Sequence, residues 1–177
     1  PTKTGYTFVG WGEVAETVTA DATYEAVFTK NTYTVTYNAG DGKFADGQTE
    51  KTVSVKYGEA VPNFTETPTA NKAGYHFDKW SGDIPETMGA ENVSVTALYA
   101  PDTNTVYKVE TYKMKVDGSG YEMTDKAFNG TTDTTATVTA ETIEGFTFNN
   151  SESVLSGNIA GDGSLVLKIY YDRNQYT

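Results

Sequence analysis

Residues 5–11 have the sequence Gly-Tyr-Thr-Phe-Val-Gly-Trp, and residues 74–80 repeat it as Gly-Tyr-His-Phe-Asp-Lys-Trp. A shorter third copy, Gly-Phe-Thr-Phe, occupies residues 145–148, and Ser151 stands where the motif would place its Trp. Two further markers recur in the same order, at residues 25–28, 96–99 and 168–171 and at residues 31–34, 104–107 and 174–177. This recurrence predicts a tandem array with a unit of about seventy residues.

Within one unit, apolar side chains alternate with polar ones, which is the period of a β-strand that is buried on one face. Residues 33–37 and 52–57 both alternate in this way. The Gly- and Asp-containing residues 38–42 between them predict a hairpin connection. Residues 81–92 are rich in turn formers and could hold one helical turn. We therefore predict small modules of an α+β or all-β class, mostly β.

The markers divide the chain into three parts. Residues 1–30 hold the second half of a unit, residues 31–102 a complete unit, and residues 103–177 a third, diverged unit. A module of about seventy residues has a modest core and limited stability by itself. We expect the chain to be a segment of a longer protein, because it begins at Pro1 without a Met or a basic leader.

The charge excludes several classes of partner. The chain has 13 Lys and Arg against 24 Asp and Glu, for a net charge of −11. Nucleic acid and anionic membrane surfaces would be repelled. No apolar run is long enough to insert into a membrane. Cys is absent and there is one His, so thiol chemistry is excluded and an enzymatic role or a cofactor is not expected.

His76 is the one candidate for acid–base chemistry. Thr7 and Thr147 occupy the equivalent positions in the other copies, which favours a solvent-facing position without a catalytic or metal-binding role. Four Asp residues in Gly-containing loops are candidate calcium ligands, but none has the spacing of a calcium loop. They are Asp41, Asp46, Asp117 and Asp162. We predict turns at these positions and no metal site.

The aromatic residues of the repeated motif have two interpretations. Aromatic faces can stack on sugars, but residues that recur in register within a small module are more simply its core. We therefore predict a structural role for the set Tyr6, Phe8, Trp11, Tyr75, Phe77, Trp80, Phe146 and Phe148.

The motif at residues 5–11 and 74–80, preceded by Pro-Thr-Lys in its first copy, resembles the Listeria–Bacteroides repeat, the internalin B-type B repeat of bacterial surface proteins. This resemblance implies ubiquitin-like β-grasp modules in the stalk of a cell-wall protein. Residues 103–177 diverge from that pattern. Their Gly turns and Tyr-rich strands, such as residues 163–171, are similar to the mucin-binding-protein domain family.

These observations predict a non-enzymatic stalk, spacer or adhesion segment on the outer surface or cell wall of a bacterium. Neighbouring repeats of the same protein and host or microbial glycans or glycoproteins are the expected partners. One alternative is a carbohydrate- or mucin-binding module, with ligand-binding candidates Tyr107, Tyr112, Tyr121, Tyr170 and Tyr171. Another alternative is a protein-recognition module that adds a partner strand to a free sheet edge.

Overall fold

A computed structural model describes residues 1–17 and 19–175. Tyr176 and Thr177, which end the third Asn-led marker, lie outside the described residues. The strands are β1 (Tyr6–Trp11), β2 (Ala26–Lys30), β3 (Thr32–Asn38), β4 (Gly42–Lys43), β5 (Glu50–Lys56), β6 (Thr69–Ala70), β7 (Tyr75–Trp80), β8 (Val93–Pro101), β9 (Thr105–Met114), β10 (Tyr121–Gly130), β11 (Thr135–Thr137), β12 (Phe146–Val154), β13 (Ser156–Asn158) and β14 (Val166–Arg173).

The described part of the chain is all-β and contains no helix, so the α+β assignment is wrong. Residues 81–92, where the sequence allowed a helical turn, form bends and irregular backbone. Gly82, Pro85 and Gly89 interrupt this segment, and both residue types disfavour a helix interior. Met88 in the same segment is buried in the core. Among the described residues, no helix could cross a membrane.

The chain divides into two compact units, one of Pro1–Thr69 and Phe77–Leu98 and the other of Ala70–His76 and Tyr99–Thr177. The three-part division predicted from the markers stays a prediction.

The first unit contains a four-stranded mixed sheet in the order β5-β3-β8-β7. Strand β3 pairs antiparallel with β5, with Val35 opposite Val53. It also pairs parallel with β8, with Tyr37 opposite Val95. The core of this unit consists of Val35, Tyr37, Ala39, Phe44, Val55, Met88 and Val95.

The same unit also contains the two-stranded sheet of β1 and β2. These strands are antiparallel, with Phe8 opposite Phe28 and Trp11 opposite Ala26. A register shift between Phe8 and Gly10 marks a β-bulge. Strands β1 and β2 carry the same sequence markers as β7 and β8, so this hairpin corresponds to those two strands.

The second unit repeats the plan with the sheet order β10-β9-β14-β12. Its central strands β9 and β14 are parallel, with Val109 opposite Leu167 and Tyr112 opposite Tyr170. Val109, Leu167, Ile169 and Tyr171 are buried on the inner face, together with Ala136 and Ile159. Because side chains alternate along a strand, the neighbours of the buried positions on β9 and β14 point to the outer face.

Candidate functional site

Three tyrosines meet on the outer face of the second unit's sheet, and we call this cluster the tyrosine face. Tyr112 on β9 lies directly opposite Tyr170 on β14. Their rings stack with centroids 4.3 Å apart and an interplanar angle of 6°. Tyr121 on β10 meets the Tyr170 ring edge-on at 5.1 Å and the Tyr112 ring edge-on at 6.4 Å. All three are half-buried, because each ring covers part of the others.

Carboxylates accept hydrogen bonds from two of the three hydroxyl groups of the tyrosine face. Tyr112 Oη donates to Glu110 Oε2 at 2.7 Å, and Tyr121 Oη donates to Asp172 Oδ1 at 2.8 Å. The hydrogen bond to Glu110 raises the pKa of Tyr112 to about 12, with a further contribution from desolvation. The hydrogen bond to Asp172 likewise raises the pKa of Tyr121. At neutral pH the face therefore presents neutral phenols beside two carboxylates.

Several residues that surround the tyrosine face were not among the candidates predicted from the sequence. Besides Glu110 and Asp172, Asn149 Nδ2 donates to the other oxygen of Asp172 at 2.7 Å. Lys168 Nζ lies 6.0 Å from the centroid of the Tyr112 ring, and Met123 lies opposite Tyr112 in the β9–β10 register. Alternation along the strands could have placed these residues on the same face as Tyr112 and Tyr170, once the parallel register was known.

Two of the five candidate tyrosines lie elsewhere. Tyr171 is 2% exposed, and its hydroxyl donates to the backbone oxygen of Glu141 at 2.9 Å. Tyr107 packs against the same core and stacks on Phe128 at 5.8 Å. Both lie on the inner face, where Tyr171 lines a groove, so neither belongs to the tyrosine face, and their role as ligand contacts stays a prediction. Neighbouring residues on one strand point to opposite faces, so Tyr170 and Tyr171 cannot share a surface.

A groove on the inner face of this sheet has a volume of about 370 Å³. Its lining includes the apolar Val109, Phe128 and Ile169 and the exposed Lys113 and Glu141.

A second feature recurs in all three copies of the motif. The opening glycines Gly5, Gly74 and Gly145 have φ angles of 75°, 76° and 79°, a left-handed conformation that favours glycine. The carbonyl of each accepts a backbone hydrogen bond from the end of the following hairpin or sheet strand. The donor amides are Asn31 N to Gly5 at 2.9 Å, Asp102 N to Gly74 at 2.8 Å and Asn174 N to Gly145 at 2.9 Å.

A side-chain hydrogen bond accompanies each of these backbone bonds. The residue two positions after the glycine donates to the side-chain oxygen of the same Asn or Asp. The pairs are Thr7 Oγ1 to Asn31 Oδ1 at 2.5 Å, His76 Nδ1 to Asp102 Oδ1 at 2.6 Å and Thr147 Oγ1 to Asn174 Oδ1 at 2.7 Å. We call the two hydrogen bonds together a clasp.

The clasps bear on two interpretations of the sequence. His76 is exposed, as predicted, and its ring nitrogen also makes the clasp bond to Asp102. The second clasp also uses Asp102, whereas the sequence markers aligned Asn104 with Asn31. The third copy of the motif also forms a clasp, although Ser151 replaces the Trp of the motif.

The motif aromatics lie around the cores rather than at their centres. Trp80 packs against the first core, and Phe77 lies 5.1 Å from its ring. Phe146 and Phe148 pack against the second core. Trp11 is 53% exposed, so its assignment to a buried core is wrong.

Tyr6, Phe8 and Tyr75 are half-buried. Tyr6 contacts the Tyr57 ring edge-on at 5.7 Å. Tyr75 Oη donates to Asp133 Oδ2 at 2.6 Å.

Three of the Asp-containing loops use their carboxylates within the turn. Gln48 N donates to Asp46 at 3.1 Å, and corresponding bonds of 3.0 Å join Ser119 N to Asp117 and Ser164 N to Asp162. Hydrogen bonding from Ser119 and Ser164 lowers the pKa of Asp117 and Asp162. Among the residues that the structure describes, no group of three or more His, Cys, Asp or Glu could hold a metal ion.

One free sheet edge carries charged side chains. Strand β10 forms one edge of the second sheet and carries exposed Glu122, Asp125 and Lys126. Asp125 also pairs with Lys108 at 3.2 Å. Charged edge strands disfavour strand addition by another chain, so the structure does not favour the strand-recognition alternative at this edge.

The repeated motif, the repeated sheet order and the three clasps define a tandem all-β repeat protein. The Listeria-Bacteroides repeat domain family matches residues 1–32 and 33–106, more than half of the chain. The chain belongs to the Listeria–Bacteroides repeat family.

No curated protein matches the chain. A solved structure described as "Crystal structure of Mub-RV" matches over 81% of this chain and 99% of that chain, at 13% identity and a TM-score of 0.25. The two structures superimpose poorly at that TM-score, so the resemblance of residues 103–177 to the mucin-binding-protein family stays a prediction.

Proposed function

We propose that this chain is a non-enzymatic stalk or spacer segment in the extracellular part of a bacterial cell-wall protein. The observation that carries this proposal is the clasp, which recurs three times at equivalent positions of the motif. Each clasp joins the glycine that opens the motif to the residue at which the chain leaves that hairpin or sheet. A hydrogen-bond pair that recurs in every copy of the motif is typical of a structural repeat, whereas a catalytic centre would be expected only once.

Family membership supports this placement, because the matched family is a repeat domain. The net charge of −11 keeps such a surface hydrated and resists association.

We further propose that each complete module is a β-grasp without its helix. Both four-stranded sheets have parallel central strands, and the outer strands β5, β10 and β12 pair antiparallel with them, which supports that relationship. The irregular segment 81–92 buries Met88 against the first sheet, where a helix would otherwise supply apolar side chains.

A surface-display experiment tests the spacer role. The chain is placed between a cell-wall anchor and a peptide tag, and binding of a large antibody probe to the tag is measured on whole cells. We expect deletion of residues 31–102 to reduce probe binding, because the tag then lies closer to the wall. The control is Val106→Ala, a change at an exposed side chain that should leave probe binding unchanged. Equal binding with and without residues 31–102 would contradict the spacer role.

A second candidate function is carbohydrate binding at the tyrosine face, favoured by three outward tyrosines in one cluster. The ring edges and the unstacked outer faces offer apolar contact, while the nearby carboxylates and Asn149 accept and donate hydrogen bonds. Glu110 and Asp172 would repel sulfated or sialylated sugars, so neutral glycans are the proposed ligand class.

A glycan array with the whole chain tests this second function. We expect binding to neutral glycans that is lost in the variant Tyr112→Ala/Tyr170→Ala and kept in Val106→Ala, which alters the same outer face of β9 outside the cluster. Circular dichroism and thermal unfolding show whether the double variant remains folded. Binding that survives in the folded double variant, or no binding to any glycan, would contradict this function.

A further inference from the structure

The groove on the inner face of the second unit's sheet has an apolar floor and a charged border. Val109, Phe128 and Ile169 lie in it, and Lys126 stands at its border; we call it the Val109 groove. Its volume of about 370 Å³ falls within the range of roughly 300–1,000 Å³ that is typical of ligand sites. In each unit, the segments that cover the inner face lie between the central strands of the same sheet in the sequence. The groove is therefore a property of the second unit itself.

Val109 takes the place in the second sheet that Tyr37 has in the first. In the parallel ladders, Tyr37 lies opposite Val95 and Val109 lies opposite Leu167. Val95 and Leu167 are both almost fully buried, and each precedes the clasp residue of its own unit by the same number of residues. The Tyr37 ring stacks on that of Phe64 with centroids 3.9 Å apart. Because Val is smaller than Tyr, the space that an aromatic ring fills over the first sheet stays open over the second.

The same comparison shows what Lys126 lacks. Lys126 on β10 is the counterpart of Lys51 on β5, because each lies opposite one of the two residues just compared. The ammonium of Lys51 pairs with Asp46 and, at 3.7 Å, with Glu66. Lys126 Nζ lies 5.1 Å from the centroid of the Phe128 ring. In the part of the chain that the structure describes, no carboxylate forms an ion pair with it.

The other charged groups around the groove have opposite charges beside them. Asp125 borders the groove, but its carboxylate pairs with Lys108 at 3.2 Å. Lys113 lies about 13 Å farther along β9 than the position opposite Lys126. At that end Glu122 lies opposite Lys113 in the β9–β10 register, and Glu141 also borders the groove. Lys126 is therefore the ammonium that remains available to an anionic group.

A single short segment supplies both missing groups in the first unit. Residues 64–66 are Phe-Thr-Glu, and they lie in backbone that is neither strand nor helix. Phe64 stacks on the Tyr37 ring, while Glu66 pairs with Lys51. In an extended chain, two residues separated by one other point to the same side. An aromatic residue followed two positions later by a carboxylate thus fits a surface that offers a ring-sized space beside an ammonium.

We propose that the Val109 groove binds an extended segment of a partner protein in which an aromatic residue is followed, two positions later, by Asp or Glu. The aromatic ring fills the space over Val109, and the carboxylate pairs with Lys126. Thr111 and Thr124 lie opposite each other and both line the groove, so their hydroxyls can bond to the main chain of the segment. An alkyl chain would leave these hydroxyls and Lys126 without partners, which favours a peptide.

The test uses the synthetic peptide Pro-Asn-Phe-Thr-Glu-Thr-Pro, the sequence of residues 62–68, titrated into the full chain. Amide and methyl NMR signals are recorded, and we expect saturable shifts at Thr111, Thr124 and Ile169. A peptide with Glu66→Gln should bind about two- to fivefold more weakly, as expected for an exposed ion pair. A peptide with Phe64→Ala should bind about tenfold more weakly or worse, because it lacks the aromatic anchor.

Variants of the protein test the two halves of the groove separately. Lys126→Glu should weaken binding of the peptide about fivefold or more. Lys115→Glu makes the same charge change at an exposed residue outside the groove and should leave binding unchanged. Val109→Tyr supplies the side chain of the first unit and should abolish the shifts, with thermal unfolding as the check that this variant is folded. If Val109→Tyr does not fold, the two lysine variants decide.

Four results would overturn the proposal. They are the absence of saturable shifts, equal affinities of the three peptides, equal weakening by Lys126→Glu and Lys115→Glu, and shifts confined to β3 and β5. The last result would show that the peptide only exchanges with residues 62–68 in the first unit.

Discussion

The buried hydroxyl of Tyr37 provides a test of the core of the first unit. Tyr37 is 0% exposed, and its Oη has no hydrogen-bond partner among the described residues. Its ring stacks on Phe64 with centroids 3.9 Å apart, so the aromatic contacts do not require the hydroxyl. Burial also raises the pKa of this phenol, as expected when the charged form cannot be hydrated.

We predict that Tyr37→Phe stabilises the first unit. An unsatisfied buried polar group costs about 1–3 kcal/mol, and Phe keeps the ring while removing that group. For a domain of this size, each kcal/mol corresponds to a rise in Tm of roughly 4–8 °C. The gain in the free energy of unfolding should lie nearer to about 1 kcal/mol if the core packs imperfectly around the smaller Phe side chain.

Tyr171→Phe is the matched control in the second unit. Tyr171 is almost as buried as Tyr37, but its hydroxyl donates to Glu141 O at 2.9 Å. The same substitution should therefore lower the stability of the second unit, by about 0.5–1.5 kcal/mol for the lost hydrogen bond. One atom is removed in both variants, and the predicted changes have opposite signs.

Urea unfolding measured in a Trp11→Phe background reports on the first unit, because Trp80 then supplies the fluorescence and lies 5.2 Å from Tyr37. Hydrogen exchange in β9 and β14 reports on the second unit. A loss of about 1 kcal/mol or more in Tyr37→Phe would refute the reasoning, since it would show that the hydroxyl is hydrogen-bonded in solution.

Three other predictions follow from the site and the cores. Phe77→Ala should destabilise the first unit by less than the roughly 3–5 kcal/mol of a fully buried Phe, because Phe77 is half-buried. Hydrogen exchange should show protection lost in residues 33–69 and 77–98 and kept in residues 164–171. Uniform loss of protection would contradict separable units. Raising the pH from the ordinary Tyr pKa of about 10 to the Tyr112 pKa of about 12 should destabilise the second unit. In this range the Tyr112 phenol has lost its proton in the unfolded state and keeps it in the folded state. An ultraviolet titration of tyrosinate in which Tyr112 ionises at the ordinary pKa would be inconsistent with this. His76→Thr should change the free energy of unfolding by no more than about ±0.5 kcal/mol, since Thr forms the clasp in the other copies. His76→Ala should lower the free energy of unfolding by about 1 kcal/mol, because Ala cannot form the side-chain hydrogen bond. Equal losses of stability in thermal melts of the two variants would argue against the clasp.

The sequence predicted the array and the strands because both depend on short-range patterns. Alternation identifies two faces of a strand, as in residues 33–37, and the repeated motif identifies equivalent positions. The alternation does not show which face is covered. The full burial of Tyr37 and the exposure of Trp11 therefore depend on pairing between distant segments, which the local pattern does not contain.

The candidate site shows the same limit. Five tyrosines were predicted as a group, and only Tyr112, Tyr121 and Tyr170 share a surface, because β9 and β14 pair in parallel in one particular register. The clasps were missed because their partners lie 24 or more residues apart in the sequence, as with Thr7 and Asn31. A shared Thr or His two positions after each glycine was the available signal, and it was interpreted as a solvent-facing position.

The parallel pairing of β3 and β8 has a mechanical consequence. Strand β3 lies near the start and β8 near the end of the predicted unit 31–102, and the two lie side by side and point the same way. Tension applied through Thr32 and Pro101 would therefore slide the strands along each other and load their connecting hydrogen bonds together. Antiparallel β1 and β2 have their ends Tyr6 and Lys30 side by side, so tension there would open the bonds one at a time. The β3–β8 pair should therefore resist tension in shear, whereas the β1–β2 pair should unzip.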